Sequence, residues 1–270
     1  MEGTPTLINC SFINNTSSQS GGVIYIAKNT ENALINSKFI NNTANNGGAI
    51  YFNGQVINTT IQGRFNNNTA TRAGRAIYVK ETAKNNTINS YFIENRAKEA
   101  SGGGIFFHKT CANNIFESTF KNNQAYYGGC MFFYNKTYDN KFNCIFKSNN
   151  ATSCGGAIFF HNETYNNTIK GHFENNHALN GNCGAITFKD KTLNTTINGN
   201  FINNTAKEYG GAINYRKTPY NITLNANFKN NKARYGGAIN FFENRGNTTI
   251  HATFTNNTAE NGRNISIQTQ

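Results

Sequence analysis

Phe39-Ile40-Asn41-Asn42-Thr43-Ala44-Asn45-Asn46-Gly47-Gly48-Ala49-Ile50-Tyr51-Phe52 contains every element of a pattern that recurs along the chain. Its first part, Phe-x-x-Asn, occurs at Phe12, Phe39, Phe65, Phe92, Phe120, Phe146, Phe173, Phe201, Phe228 and Phe254, with successive gaps of 26 to 28 residues. A fixed period of this length is the signature of a solenoid, in which each repeat covers its neighbours' apolar face. Four residues before each phenylalanine stands a large apolar residue (Ile35, Ile61, Ile88, Phe116, Phe142, Ile169, Ile197, Leu224, Ile250, and Ile8 in the first repeat). Two before it stands a small one, such as Ser37, Gly63, Ser118 or Cys144. Large, small, large at alternate positions reads as the inward face of a strand.

The glycine pair opens a second strand whose inward residues are Ile50/Phe52, Ile77/Val79, Ile105/Phe107, Met131/Phe133, Ile158/Phe160, Ile186/Phe188, Ile213/Tyr215 and Ile239/Phe241. From the last of these to the next repeat's first inward residue the step is always nine, as from Phe52 to Ile61. Length variation is confined to the residues just before the glycines, for example Tyr126-Tyr127 or Leu179-Asn180-Gly181-Asn182. Strands of like sequence stacked at this period are parallel, and parallel crossovers are right-handed in about 98% of cases. The expectation is an all-β chain forming one domain, residues 1–270: a right-handed parallel β-helix of about ten coils, roughly 50 Å long at the usual strand spacing.

Asparagine at the end of Phe-x-x-Asn predicts a ladder of stacked amides at one turn. A second ladder is expected at Asn32, Asn58, Asn85, Asn113, Asp139, Asn166, Asn194, Asn221 and Asn247, with Asp139 as its one exception.

Gly-Gly-Ala-Ile at 47–50, 155–158, 210–213 and 236–239, together with Phe-x-x-Asn throughout, resembles the repeats of chlamydial polymorphic outer-membrane proteins. It is also similar to the Asn-rich β-helix repeats of adhesin-like surface proteins of methanogenic archaea. The resemblance implies an extracellular, cell-surface protein acting in adhesion. The membrane-inserted barrel of the bacterial relatives has no counterpart here, so the chain reads as a segment of a longer surface protein. No run approaches 18 apolar residues, so nothing in the segment reads as a membrane span.

Two prolines and no tryptophan suit uninterrupted ladders. Cys10 and Cys144 share a register about five coils, roughly 24 Å, apart and cannot pair. Cys154 and Cys183 are the one pair placed for a disulfide, buried free thiols being the other reading. Asn-x-Ser/Thr sequons at Asn58, Asn85, Asn135, Asn162, Asn166, Asn194, Asn221 and Asn247 are glycan acceptors in a secreted protein, or a by-product of an Asn- and Thr-rich composition.

Parallel β-helices include polysaccharide lyases and glycoside hydrolases, which need converging carboxylates. Here the only aspartates, Asp139 and Asp190, lie about two coils apart, with Glu163 in the coil between them as the nearest partner. The five histidines lack metal-ligand spacing, and no nucleophile motif or phosphate loop is present. The chain therefore reads as a non-enzyme without cofactor or metal, a polysaccharide-active enzyme being the alternative.

What remains is surface. A net charge of +12 from 25 basic and 13 acidic residues favours anionic partners. The basic residues are spread over the coils, which argues against specific nucleic-acid recognition. The second strand's outward column runs Tyr25, Tyr51, Tyr78, Phe106, Phe132, Phe159. Two residues on, a column reads Lys80, His108, Tyr134, His161, Lys189, Arg216. Aromatic faces beside basic groups suit carbohydrate rings or anionic polymers. The expected binding face is Phe106, His108, Phe132, Tyr134, Phe159, His161, Lys189 and Arg216. Its partners would be cell-surface glycans, anionic cell-wall polymers or surface proteins of another cell. The competing reading is that stacked aromatics only stabilise the sheet. On the binding reading, Phe132→Ser with Phe159→Ser keeps the fold and abolishes binding, and affinity rises as pH drops through about 6.5.

Overall fold

The computed structural model describes residues 5–74, 76–96 and 101–268. Among them there is no helix; parallel strands stack into a solenoid of ten coils. One coil shows the plan. Lys141–Lys147 is the long strand, Asn150–Cys154 a corner strand, Ile158–Phe160 the short strand, and Thr164–Tyr165 a two-residue piece leading into the next long strand, Thr168–Glu174. Each pairs in register with its equivalent one coil on: Phe146 with Phe173, Ala151 with Ala178, Phe160 with Phe188, and Thr164 with Thr192. The short strands form an unbroken ten-stranded ladder from Ile24–Ile26 to Ile265–Ile267.

The Phe-x-x-Asn phenylalanines make one continuous stack from Phe12 to Phe254, with ring centroids 4.6 to 5.2 Å apart. A second stack runs Phe107, Phe133, Phe160, Phe188, Tyr215, Phe241 at 4.9 to 5.2 Å. Both lie in one core, where burying each ring contributes about 1.5–3 kcal/mol. The small residue between the two large inward ones is sterically required. A Cβ on Gly199 would lie 2.1 Å from the carbonyl oxygen of Gly171 in the preceding coil.

Corners explain the Asn-Asn pairs. The residue before each ladder asparagine has φ between 50° and 58°, and eight of these ten residues are themselves asparagine; Glu94 and Ser148 are the exceptions. Asparagine tolerates this left-handed conformation better than other side chains bearing a Cβ. The asparagine that follows turns inward and is fully hydrogen-bonded. Asn149 Nδ2 donates to Asn176 Oδ1 (2.9 Å) and to the Phe120 carbonyl (3.0 Å). Its Oδ1 accepts from the Asn123 backbone N–H (2.9 Å) and from Asn123 Nδ2 (3.0 Å). At the far end Asn257 Nδ2 donates instead to Asn264 Oδ1 within the same coil.

The second corner repeats the device and carries two columns of amides: the expected one is hydrogen-bonded in part, Asn194 Nδ2 donating to Asn166 Oδ1 at 3.1 Å and Asn221 Nδ2 to Asn194 Oδ1 at 2.9 Å, and a buried one lies one residue further on. Asn32, Asn58, Asn85, Asn113, Asp139, Asn166, Asn194 and Asn221 are the exposed left-handed residues, with φ from 44° to 58°. The buried ladder is formed by their successors Asn86, Asn114, Asn140 and Asn167, flanked by Thr59. Asp139 is thus no exception, because aspartate also accepts the left-handed conformation. Asn247 leaves the column: Gly246 takes the positive φ there, and Thr248 pairs with Ile222.

One further expectation is corrected, and of the two readings of Cys154 and Cys183 the free buried thiols hold. In the first coil Asn9 (φ 56°) forms a bulge, so Leu7 rather than Ile8 aligns with Ile35, and Ile8 points outward. All six cysteines are free, and all but Cys10 are buried. Cys183 stands at φ 65° in the register of Gly155, the first glycine of its pair, with Sγ 2.6 Å from the Ile186 carbonyl and 2.9 Å from that of Ala212. No helix among the described residues is long and apolar enough to cross a membrane.

Candidate binding face

The two columns of the expected site lie side by side, but only one faces solvent. Phe106, Phe132 and Phe159 point away from the core yet are only 6%, 4% and 2% exposed, which corrects the expectation of an open aromatic strip. They form a second small apolar cluster with Tyr51, Tyr78 and Cys154, against which Tyr127 and Ala73 pack. The reason is the shortness of the strand. Three residues after the glycine corner leave a narrow trough, closed on one side by the pre-glycine residues and on the other by the next column. Tyr127 lies 5.2 Å from the Phe159 ring and 6.2 Å from Phe132, while His161 meets Phe132 edge-on at 6.1 Å. Further along, the trough floor becomes Thr187, Asn214 and Asn240, all buried, with Asn240 Nδ2 donating to Asn214 Oδ1.

The neighbouring column is an open ridge. Its backbone continues the short-strand register: the N–H groups of His108, Tyr134, His161, Lys189 and Arg216 donate to the Val79, Phe107, Phe133, Phe160 and Phe188 carbonyls. Tyr134, 41% exposed, is sandwiched between two imidazoles, His108 at 5.3 Å and His161 at 4.7 Å, both near-parallel. Lys189 Nζ donates to His161 Nε2 at 2.7 Å, and His161 Nδ1–H donates to Asn162 Oδ1 at 2.7 Å. Asn162 Nδ2 in turn donates to Asn135 Oδ1, which fixes Asn162 Oδ1 as the acceptor. These partners define a neutral imidazole. Burial holds both His108 and His161 below the ordinary histidine value; Lys109 adds to this for His108 and Lys189 for His161. The 6.5 midpoint expected for both therefore moves lower.

The ridge ends in two cations. Lys189 also lies 3.9 Å from Asp190, and Arg216 is exposed without an ion-pair partner among the described residues. From His108 to Arg216 the column spans about 19 Å at one coil per strand spacing. Depressions of about 860, 480, 430 and 320 Å³ lie elsewhere on the rod.

The carboxylates considered for catalysis sit in three different settings. Glu163 faces Lys136 at 3.6 Å, Asp190 sits beside Lys189, and Asp139 occupies its left-handed corner. Among the described residues no three His, Cys, Asp or Glu side chains are grouped to hold a metal ion.

Fold and ladders define the class: a parallel β-solenoid held by stacked phenylalanines and buried asparagines. Residues 9–27, 36–53 and 143–161 match the Chlamydia polymorphic membrane protein (Chlamydia_PMP) repeat. Each matched stretch begins three residues before a ladder phenylalanine and ends one residue after a short strand, at Ile26, Phe52 or Phe160. The repeat thus covers the last five residues of the long strand, the asparagine corner, the glycine pair and the short strand. No curated protein and no solved structure matches the chain.

Proposed function

We propose that this chain is an adhesive module displayed at a cell surface, gripping anionic glycans along the ridge His108–Tyr134–His161–Lys189–Arg216. One observation carries the reading: an exposed tyrosine stacked between two imidazoles is followed, in the same register, by a lysine and an arginine with no ion-pair partner among the described residues. A sugar ring packs on the aromatic edge while its acidic groups meet the cations. Buried Phe106, Phe132 and Phe159 support the ridge from beneath and do not touch the ligand. Surface display is supported by the match to a repeat of a Chlamydia membrane protein and by the resemblance to methanogen adhesin-like proteins. The module is non-catalytic on this reading, since Glu163 and Asp190 each face a lysine rather than another carboxylate.

A glycan-array screen at low and high salt tests the proposal, followed by titration of the best anionic hit against Tyr134→Ala and Arg216→Ala. Wild-type affinity should fall with salt, and each variant should lose about tenfold, through one charge-assisted contact at Arg216 and through ring packing at Tyr134. Affinity should rise as pH falls below about 6.5, with a midpoint lower than an exposed histidine's. Variants that bind like wild type would show that the ridge only stabilises the sheet.

A further inference from the structure

The outward face of the long strands carries a second site that the ridge does not explain. Where this face only has to hold itself together, it uses amides. Asn225 Nδ2 donates to Asn198 Oδ1 at 2.8 Å, and Asn227 Nδ2 donates to Asn200 Oδ1 at 3.0 Å. The column of Asn200 and Asn227 is, ten coils deep, the position just before the ladder phenylalanine. At the other end of the rod that same column reads Ser11, Lys38, Arg64, Tyr91, directly opposite one another in register. Like charges on adjacent rungs repel and cost stability. The four strands Thr6–Ile13, Leu34–Ile40, Thr60–Asn66 and Thr87–Ile93 contain no carboxylate to relieve them. Neither Lys38 nor Arg64 has an ion-pair partner among the described residues, and both are exposed.

These side chains border a depression of about 480 Å³, lined by Asn36, Ser37, Lys38, Gly63, Arg64 and Tyr91 among others. The volume falls in the range that holds small ligands. Gly63 (φ 122°) cannot carry a side chain, because its Cβ would lie 2.1 Å from the Ser37 carbonyl oxygen, so bare strand backbone lines this part of the depression. Tyr91 is 58% exposed, far more than a ring that serves only to pack its neighbours. We infer that this depression is a subsite for a carboxylated sugar, a uronic-acid residue of a polysaccharide. The arginine fork matches a carboxylate in two parallel hydrogen bonds, with Lys38 as the second charge. Tyr91 supplies a flat apolar face for the pyranose ring, and the Asn36 amide supplies donors and an acceptor for hydroxyls. The inference does not rest on the reading of the His108–Arg216 ridge, since no residue is shared.

The experiment titrates the whole chain with trigalacturonate, with neutral maltotriose and with sulfated maltotriose. Trigalacturonate should bind, maltotriose at least tenfold more weakly, and the sulfated probe between the two. Arg64→Ala should weaken trigalacturonate at least tenfold and Tyr91→Ala about fivefold. Arg64→Lys, which keeps the charge and loses the fork, should weaken it at least threefold. Lys170→Ala, an exposed cation on a distant long strand, should leave it unchanged. Thermal melting of Arg64→Ala controls for the fold and should show no loss, because the substitution removes a like-charge contact. Absence of trigalacturonate binding by the wild type would overturn the inference. So would wild-type affinity in Arg64→Ala, or equal binding of both anionic probes by the wild type and Arg64→Lys, which marks a charge patch without a sugar site.

Discussion

Replacing Asn149 by alanine removes four hydrogen bonds at once from the middle of the rod. Two are donated by its amide, to Asn176 Oδ1 and the Phe120 carbonyl, and two are accepted by its Oδ1 from Asn123. Every partner is buried, so each is left short of a bond that water cannot supply. At about 1 kcal/mol per bond the change amounts to about 4 kcal/mol, in the upper tail for single substitutions. Because each coil of a solenoid contacts only its neighbours, the loss should be local. Urea denaturation followed by circular dichroism reads the total, and hydrogen exchange at the Asn123 amide reads the site. Asn149→Asp separates hydrogen bonding from packing. A neutral carboxyl there still accepts from Asn123 and donates one bond, whereas the carboxylate is buried with no cation beside it. Its folded pKa is therefore raised above the unfolded value of about 3.9. The folded state then binds more protons than the unfolded one, so stability is full below about pH 4 and falls as pH rises through the folded pKa. An Asn149→Ala loss below about 1 kcal/mol, or an Asp variant with no fall in stability as pH rises, would refute the claim that these amides hold the corner.

Phe159→Ser should destabilise by about 3–5 kcal/mol, the usual cost of emptying a buried phenylalanine site, contrary to what an outward-facing side chain implies; a melting curve equal to wild type would show the trough to be open. Ser148, left-handed at φ 56° where eight other coils use asparagine, should gain about 0.5–1 kcal/mol on replacement by asparagine. Asn175→Val at the equivalent corner should lose more than that, and the pair of variants tests the backbone argument by thermal melting. Acidification should destabilise the wild type. His108, His161 and His177 have folded pKa values held below 6.5 by burial, so the unfolded chain takes up protons first and stability falls as pH drops through about 6.5 and below. Glu174, held low by hydrogen bonds from Lys147 and His172, acts in the same direction at lower pH. A melting temperature that does not decrease between pH 7 and pH 5 would contradict these assignments.

Periodicity made the axis of the molecule legible. Ten phenylalanines in step place ten rings in one stack, and the alternation around them identifies the inward side chains of both strands. The first ladder was legible for the same reason, since Phe-x-x-Asn ties the asparagine to the strand that positions it. At the second corner the exposed column was legible, its Asn166, Asn194 and Asn221 amides being bonded in series, but the buried ladder one residue on was not, because two demands meet there. A left-handed residue and a buried amide both select asparagine, and Asn85-Asn86, Asn113-Asn114 and Asn166-Asn167 satisfy both in succession. Asn32-Ala33, Asn58-Thr59, Asn194-Thr195 and Asn221-Ile222 break the degeneracy: the first residue, held by its backbone conformation, stays asparagine while the second varies. The bulge at Asn9 had no signal of this kind, because a single extra residue in the first coil leaves the later spacing untouched.

Burial across the strand was not legible, and the reason bears on where a ligand meets the rod. Alternation distinguishes the side of the sheet a residue points to, not whether that side is open. On the seven-residue long strand outward means exposed, because the face is wide; Lys38, Arg64 and Tyr91 stand free. On the three-residue short strand the flanking segments reach over the central side chain, and Phe132 and Phe159 are covered although they leave the core. The exposed positions around the short strand are the ones after it, where the chain has begun to turn away. Tyr134 lies there, one residue beyond Phe133, and keeps two-fifths of its surface open while Phe132 keeps almost none. The histidines of that column border the trough and stack on Tyr134, and Lys189 bonds to His161. The exposed positions of this rod therefore fall on the ridge beside the short strand and on the broad face of the long one, while the aromatic column between glycine corner and ridge is buried in its own small cluster.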